Sequence, residues 1–144
     1  PAQIRDTRKT TPLWRELEKF AVRAGGGTNH RMSLSDAALI KDNHIVAAGG
    51  VVAAFDAVRK KYPDLKVEVE VDHLEQLQEV VAAGADLVLL DNMSVEQCAA
   101  AVAIVDGRTQ LEASGGITFS NARAYAATGV DFLAIGALTL SGCT

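Results

Sequence analysis

From residue 50 onward the chain alternates between two hydrophobic rhythms. "VVAAFDAVRKKY" (51–62) sets its apolar residues at helical spacing, and Pro63 and Asp64 stop it. "KVEVEV" (66–71) alternates strictly, with valines at 67, 69 and 71 and glutamates at 68 and 70, the period of a strand. A helix over 73–84 follows, closed by Gly84 at C′. "DLVLLDN" (86–92) is a continuous apolar strand, and Ser94 with Gln97 forms a capping box for the next helix. The pattern then predicts a strand and glycine turn over 110–116, a helix with a C-cap glycine over 120–129, and a strand over 130–136. Upstream, "IRDT" (4–7) and a short piece near 38–41 are further strand candidates. "PLWRELEKFAVRAGGG" (12–27) reads as a helix with Pro12 near its start and glycines after its end.

Strands that alternate with helices imply a parallel sheet in an α/β fold. Strand 66–71 argues for a barrel over an open sheet. Its valines face outer helices, which leaves Glu68 and Glu70 on the opposite face. A doubly wound sheet buries both faces under helices, whereas a barrel interior tolerates polar groups near its rim. The expectation is one domain over 1–144, an incomplete, TIM-like α/β barrel, because five or six strands fall short of eight and 144 residues is short for that fold.

Composition narrows the class. Hydrophobic residues make up 49% and charged residues 22%, so the chain is globular. The net charge of -4 hides an asymmetry: residues 1–72 hold 12 Lys/Arg against 10 Asp/Glu, and residues 73–144 hold 2 against 8. No basic excess marks a nucleic-acid binder, and no apolar run marks a membrane span. Cys98 and Cys143 lie far apart, which argues against a disulfide framework and for a reducing, cytoplasmic setting.

In α/β barrels the working residues stand at the C-terminal ends of strands. Those positions hold Arg8, Lys9, Lys41, Glu70 and Asp91, then two glycine turns, Ser114-Gly115-Gly116 and Gly136-Ala137. The turns are read as phosphate cradles, the first leading into a helix. Glu70 and Asp91 are read as lying at equivalent heights on adjacent strands, a pair that suits Mg²⁺. The competing reading makes them interior salt-bridge partners of Lys41 or Arg31. Glu112, two residues before a turn, is read as structural. The stretch "HRMSLSDAALIKDNH" (30–44) interleaves His30, Arg31, Lys41 and His44 with apolar residues. With Arg8 and Lys9 it supplies more cations than one phosphate needs; two carboxylates plus phosphates would justify the set, while for each cation taken alone a solvated surface role is the better reading. Asp42-Asn43-His44 is expected to shape a turn, and Arg59-Lys60-Lys61 to form an exposed helix end.

Seven stretches, "RDTRKTTP", "GGGTNHRM", "LIKDNHI", "VEVEV", "LLDNMS", "LEASGGI" and "TGVDFLAIGALT", occur in the order found in the quinolinate phosphoribosyltransferase family, which the chain resembles from residue 3 to about 141. The resemblance implies phosphoribosyl transfer to quinolinate with decarboxylation, giving nicotinate mononucleotide, pyrophosphate and carbon dioxide. It implies a basic quinolinate pocket of Arg8, Lys9, His30, Arg31 and Lys41, with Lys9, Lys41, Glu70 and Asp91 in the chemistry. Glu70 and Asp91 would serve Mg²⁺ and the ribose. Ser114, Gly115, Gly116, Gly136 and Ala137 would hold the 5′-phosphate. A homodimer or higher homo-oligomer is expected, with the family's N-terminal domain and closing segment outside this chain. Leu140 stands where the family usually has a histidine. A related pyridine phosphoribosyltransferase, or a catalytically incomplete barrel that serves as an interaction module, are the alternatives.

Overall fold

Six parallel strands form a single sheet in the computed structural model, which describes residues 2–140. They are β1 (Gln3–Arg5), β2 (Ala38–Ile40), β3 (Val67–Val71), β4 (Leu87–Asp91), β5 (Gln110–Ser114) and β6 (Phe132–Ala134), in the order β1-β6-β5-β4-β3-β2. The gap lies between β1 and β2, and residues 28–30 partly fill it. Thr28 N–H donates to Ile4 O at 2.8 Å and Asp6 N–H to Thr28 O at 3.2 Å, so this segment runs beside β1 as an irregular extra strand. The expected incomplete barrel is therefore the observed architecture.

Seven helices surround it: α1 (Arg15–Ala24), α2 (Asp42–Ala48), α3 (Val51–Lys61), α4 (Leu74–Ala82), α5 (Val95–Val105), α6 (Ala122–Ala127) and α7 (Ala137–Leu140). The apolar core sits between the strands' outer faces and the helices. Val67, Val69 and Val71 of β3, Val88 and Leu90 of β4, and Leu111 and Ala113 of β5 pack there with Phe55, Leu77, Val80, Cys98 and Ala101. Period-2 alternation sends the opposite set, Glu68, Glu70, Leu89, Asp91, Glu112 and Ser114, to the inside. Ser94 caps α5 as expected: its Oγ accepts from Gln97 N–H at 3.2 Å, and Gln97 Oε1 accepts from Ser94 N–H at 2.8 Å. Burial pushes the Cys98 thiol up to about 11, so it behaves as a small apolar core residue, and Cys143 lies outside the described residues. No helix among the described residues is long and apolar enough to cross a membrane.

The structure departs from the sequence reading at two places and adds one feature that reading did not address. Residues 42–48 form a helix where only a turn was expected. His44 Nδ1 accepts from Lys41 N–H at 3.0 Å at its start, and Gly49 ends it with a φ of 84°. Seven residues are too few for a periodicity to register. The Ser114–Gly116 turn does not lead directly into a helix, since α6 begins at Ala122. Leu17 and Phe20 of α1 turn outward, as do Leu13 and Trp14 just before it, whereas Lys19 is buried.

Candidate active site

Lys19 is inside because Asp6 is. Asp6 follows β1, and its carboxylate accepts from Lys19 Nζ at 2.6 Å, from the His30 backbone N–H at 2.8 Å and from Asn29 Nδ2. Lys19 Nζ also donates to His30 O at 3.0 Å. This buried knot clamps residues 29–31 against β1 and so fixes where His30 and Arg31 project.

His30 is itself buried, and both its ring nitrogens are engaged within the protein. Nε2 lies 2.7 Å from Glu68 Oε2, and Nδ1 accepts from Arg31 N–H at 2.9 Å. Glu112 sits beside them, ion-paired with Arg5, whose guanidinium lies 4.4 Å from the centre of the Phe132 ring. Burial pushes the Glu112 carboxyl up to about 7; the nearby Glu68 charge adds to this, and Arg5 and His30 oppose it. Glu112 is thus no ordinary structural carboxylate.

Arg31 Nη1 donates to Ala37 O at 2.9 Å. Burial lowers its pKa, the neighbouring Arg8 charge lowers it further, and Glu68 and Asp36 raise it. Two guanidiniums thus feel each other's charge, and the buried Nε atoms of both lack a hydrogen-bond partner among the described residues. Arg31 and His30 line an interior cavity of about 290 Å³ with Arg5, Glu68 and Phe132. Lys66, Asp86 and Gln110 also line it and stand at strand starts, so His30 and Arg31 lie deeper in the barrel than its C-terminal rim. Lys9 is exposed at the rim, its carbonyl held by the Thr139 hydroxyl at 2.7 Å.

At that rim Lys41 Nζ donates to Glu70 Oε2 at 2.8 Å, the interior pairing anticipated as the competing reading. Asp91 Oδ2 accepts from Asn92 Nδ2 at 2.8 Å. The two carboxylates share a face but not a height: Glu70 pairs in register with Leu89, which puts Asp91 two residues nearer the strand end. They line one cleft of about 200 Å³ together with Asp42 and Asp72. Hard carboxylate oxygens around an open cleft are a donor set that fits Mg²⁺.

The glycine turns come together because β5 and β6 are neighbours. Gly115, at a φ of 95°, packs against the Asn92 side chain, and an added Cβ would lie 2.1 Å from Asn92 Oδ1. No backbone N–H of Gly115, Gly116 or Gly136 donates to a backbone acceptor among the described residues. Leu140 closes α7.

Arg5, Asp6, Lys19 and Glu68 were missed by the sequence reading. Glu68 had a signal, since the β3 alternation put it on the same face as Glu70. Lys19 had none, because two other cations and two glutamates share its helix.

A parallel α/β half-barrel with carboxylates and glycine turns at its strand ends and guanidiniums inside defines the class: an incomplete α/β-barrel domain. More particularly, residues 1–143 match the model of the family "Quinolinate phosphoribosyl transferase, C-terminal domain", and the chain belongs to that family. It is 57% identical over 143 residues to the nicotinate-nucleotide pyrophosphorylase (carboxylating) of Mycobacterium leprae, covering 97% of this chain and 50% of that protein. It is 41% identical over 140 residues to the Homo sapiens protein of the same name, covering 94% and 47%. The solved nicotinate-nucleotide pyrophosphorylase from Francisella tularensis superposes with a TM-score of 0.93 at 48% identity, covering 96% of this chain and 50% of that one. The chain thus spans about half the length of the curated relatives it matches. A thiamine phosphate pyrophosphorylase from Pyrococcus furiosus, at 18% identity and a TM-score of 0.64, shares the fold alone.

Proposed function

We propose that this domain carries most of the site for transfer of a phosphoribosyl group from phosphoribosyl pyrophosphate to quinolinate, with loss of carbon dioxide. The observation that carries the reading is the Arg8–Arg31 pair, two like charges held near each other with unfilled buried donors inside a barrel of this family. Two carboxylates of one ring would satisfy them, and an anionic carboxylate is a stronger acceptor than the Ala37 carbonyl that Arg31 now holds. Lys9 and Lys41 bring positive charge to the rim, where a pyrophosphate would leave. The backbone amides of Gly115, Gly116 and Gly136 suit the 5′-phosphate, with Ser114 and Ala137 flanking them. Glu70 and Asp91 would hold Mg²⁺, which when bound neutralises charge on the departing pyrophosphate. The same two carboxylates stabilise positive charge at the ribose carbon as that bond breaks. Holding the ring nitrogen toward that carbon removes the entropy of bringing the reactants together. His30 serves the pocket from beneath, by fixing the Arg31 backbone.

The exposed Leu13, Trp14, Leu17 and Phe20, in α1 and just before it, support the further reading that this barrel works in contact with another polypeptide surface, as a homodimer or higher homo-oligomer. Carbon dioxide release from quinolinate tests the whole proposal. The protein is assayed alone and fused behind the N-terminal half of the Mycobacterium leprae relative. Release that needs phosphoribosyl pyrophosphate and Mg²⁺, weak alone and at least about a hundredfold stronger in the fusion, is expected. Transfer to nicotinate but not quinolinate in the fusion would favour the related pyridine phosphoribosyltransferase. No transfer in either form would leave an interaction module.

A further inference from the structure

The barrel interior holds a cluster of charged groups with unequal supplies of donors. Glu68 from β3 and Glu112 from β5 face Arg5 from β1 and His30 from the segment beside it. The other three strands bring no ionisable group beside these acids, since Glu112 is flanked in register by Leu89 of β4 and Phe132 of β6, and Glu68 by Leu39 of β2 and Leu87 of β4. Glu112 is 0% exposed, Glu68 5% and His30 8%. Arg31, Lys66 and Asp86 line the same cavity and Arg31 offsets the Glu68 charge, so the group left short is Glu112, which is fully buried with Arg5 on one oxygen and nothing on the other, a costly arrangement unless a proton joins it.

Both ring nitrogens of His30 are already engaged: Nδ1 accepts from the Arg31 N–H, and Nε2 faces Glu68 Oε2. The unfilled positions are carboxylate oxygens: Glu68 Oε1 and Glu112 Oε1 are both buried without a partner among the described residues. Ligand atoms of Glu68, Glu112 and His30 lie within 4.8 Å of one another, close enough for one proton to serve the set. A divalent ion fits poorly there, since Arg5 occupies Glu112 and the His30 imidazole occupies Glu68. The raised Glu112 carboxyl, at about 7, agrees with the geometry.

We propose that this cluster carries one exchangeable proton, held on Glu112, and that an aromatic dicarboxylate entering between Arg8 and Arg31 draws it in fully, so that binding and proton uptake are one event. The coupling is electrostatic. Arg31 is bonded through its backbone to His30 and feels the Glu68 charge, so an anion at Arg31 raises the cost of an ionised carboxylate behind it. The proposal rests on reading the Arg8–Arg31 pocket as the quinolinate site.

Uptake of one proton makes the quinolinate affinity fall about tenfold per pH unit above the midpoint and level off below it. Replacing Glu112 with Gln removes its charge without a proton. The variant then binds quinolinate with an affinity nearly independent of pH, and at about pH 8.5 it binds about tenfold more tightly than the native protein. A variant that merely damaged the barrel would bind more weakly at every pH.

Quinolinate is titrated calorimetrically into the native protein, Glu112→Gln, Glu68→Gln and Glu112→Asp. Each titration is run at about pH 7.5 in two buffers of different ionisation enthalpy and then across about pH 6 to 8.5. Buffer-dependent heats equivalent to up to one proton are expected for the native protein and Glu112→Asp, and nearly none for either Gln variant. Equal heats in both buffers for the native protein would overturn the coupling while leaving the pocket intact. No quinolinate heat at any pH would overturn the pocket and the coupling with it. Carboxyl ¹³C spectra without ligand give the independent check: a native protein with no Glu112 titration across that range would overturn the stored proton whatever the ligand does.

Discussion

Asp6 and Glu112 are both fully buried carboxylates paired with a cation, and they behave differently. Asp6 receives Lys19, the Asn29 amide and the His30 N–H, so both its oxygens are taken. Glu112 receives Arg5 through one oxygen, and the other is bare. The first carboxylate is saturated and holds a loop. The second is under-satisfied, faces another acid, and is drawn to a pKa of about 7. Depth is the same in both cases, and the supply of donors decides which carboxylate is structural and which can exchange a proton.

The largest effect that sharpens this contrast comes from the saturated side. Lys19→Met leaves Asp6 buried without its cation and should cost about 3 to 5 kcal/mol in urea unfolding. Pairing it with Asp6→Asn should recover part of that loss. A single variant as stable as the native protein would show that the knot contributes nothing.

Next comes the under-satisfied side. The Glu112 carboxyl is raised from 4.5 to about 7, so the stability it contributes is full below about 4.5 and is lost as pH rises through about 7. Glu112→Gln should therefore leave stability unchanged in acid and raise it above neutral pH, by up to about 3 kcal/mol. Thermal unfolding as a function of pH reads this directly, and a variant destabilised at pH 8 would break the contrast.

The rim pair makes the smallest structural difference. Lys41 is 46% exposed, so Lys41→Met should change stability by less than about 1 kcal/mol. In the fused enzyme the same change should lower kcat for carbon dioxide release at least about tenfold, since it removes charge beside the departing pyrophosphate. Loss of stability without loss of turnover would make Lys41 a structural residue.

Much of this was legible beforehand. The β3 alternation told which of its residues face helices and which face inward, and the capping box at Ser94 and the glycine turns were in plain view. The height of Asp91 relative to Glu70 was not, because register depends on how two strands slide together and both offsets keep valine on the buried face of β3. The buried face of α1 was not read from the sequence at all. Lys19 faces inward because a buried Asp6 requires it, a demand that originates 13 residues away.

The sequence by itself determined the order of elements, the faces of the strands and the family, since periodicity, caps and turns are local and each is written within a few residues. Tertiary structure alone decided the charge balance of the interior. Arg5 meets Glu112 across 107 residues, and Asp6 meets the His30 backbone across 24. Whether a buried acid is saturated depends on donors delivered by such distant segments, and no local pattern records how many will arrive.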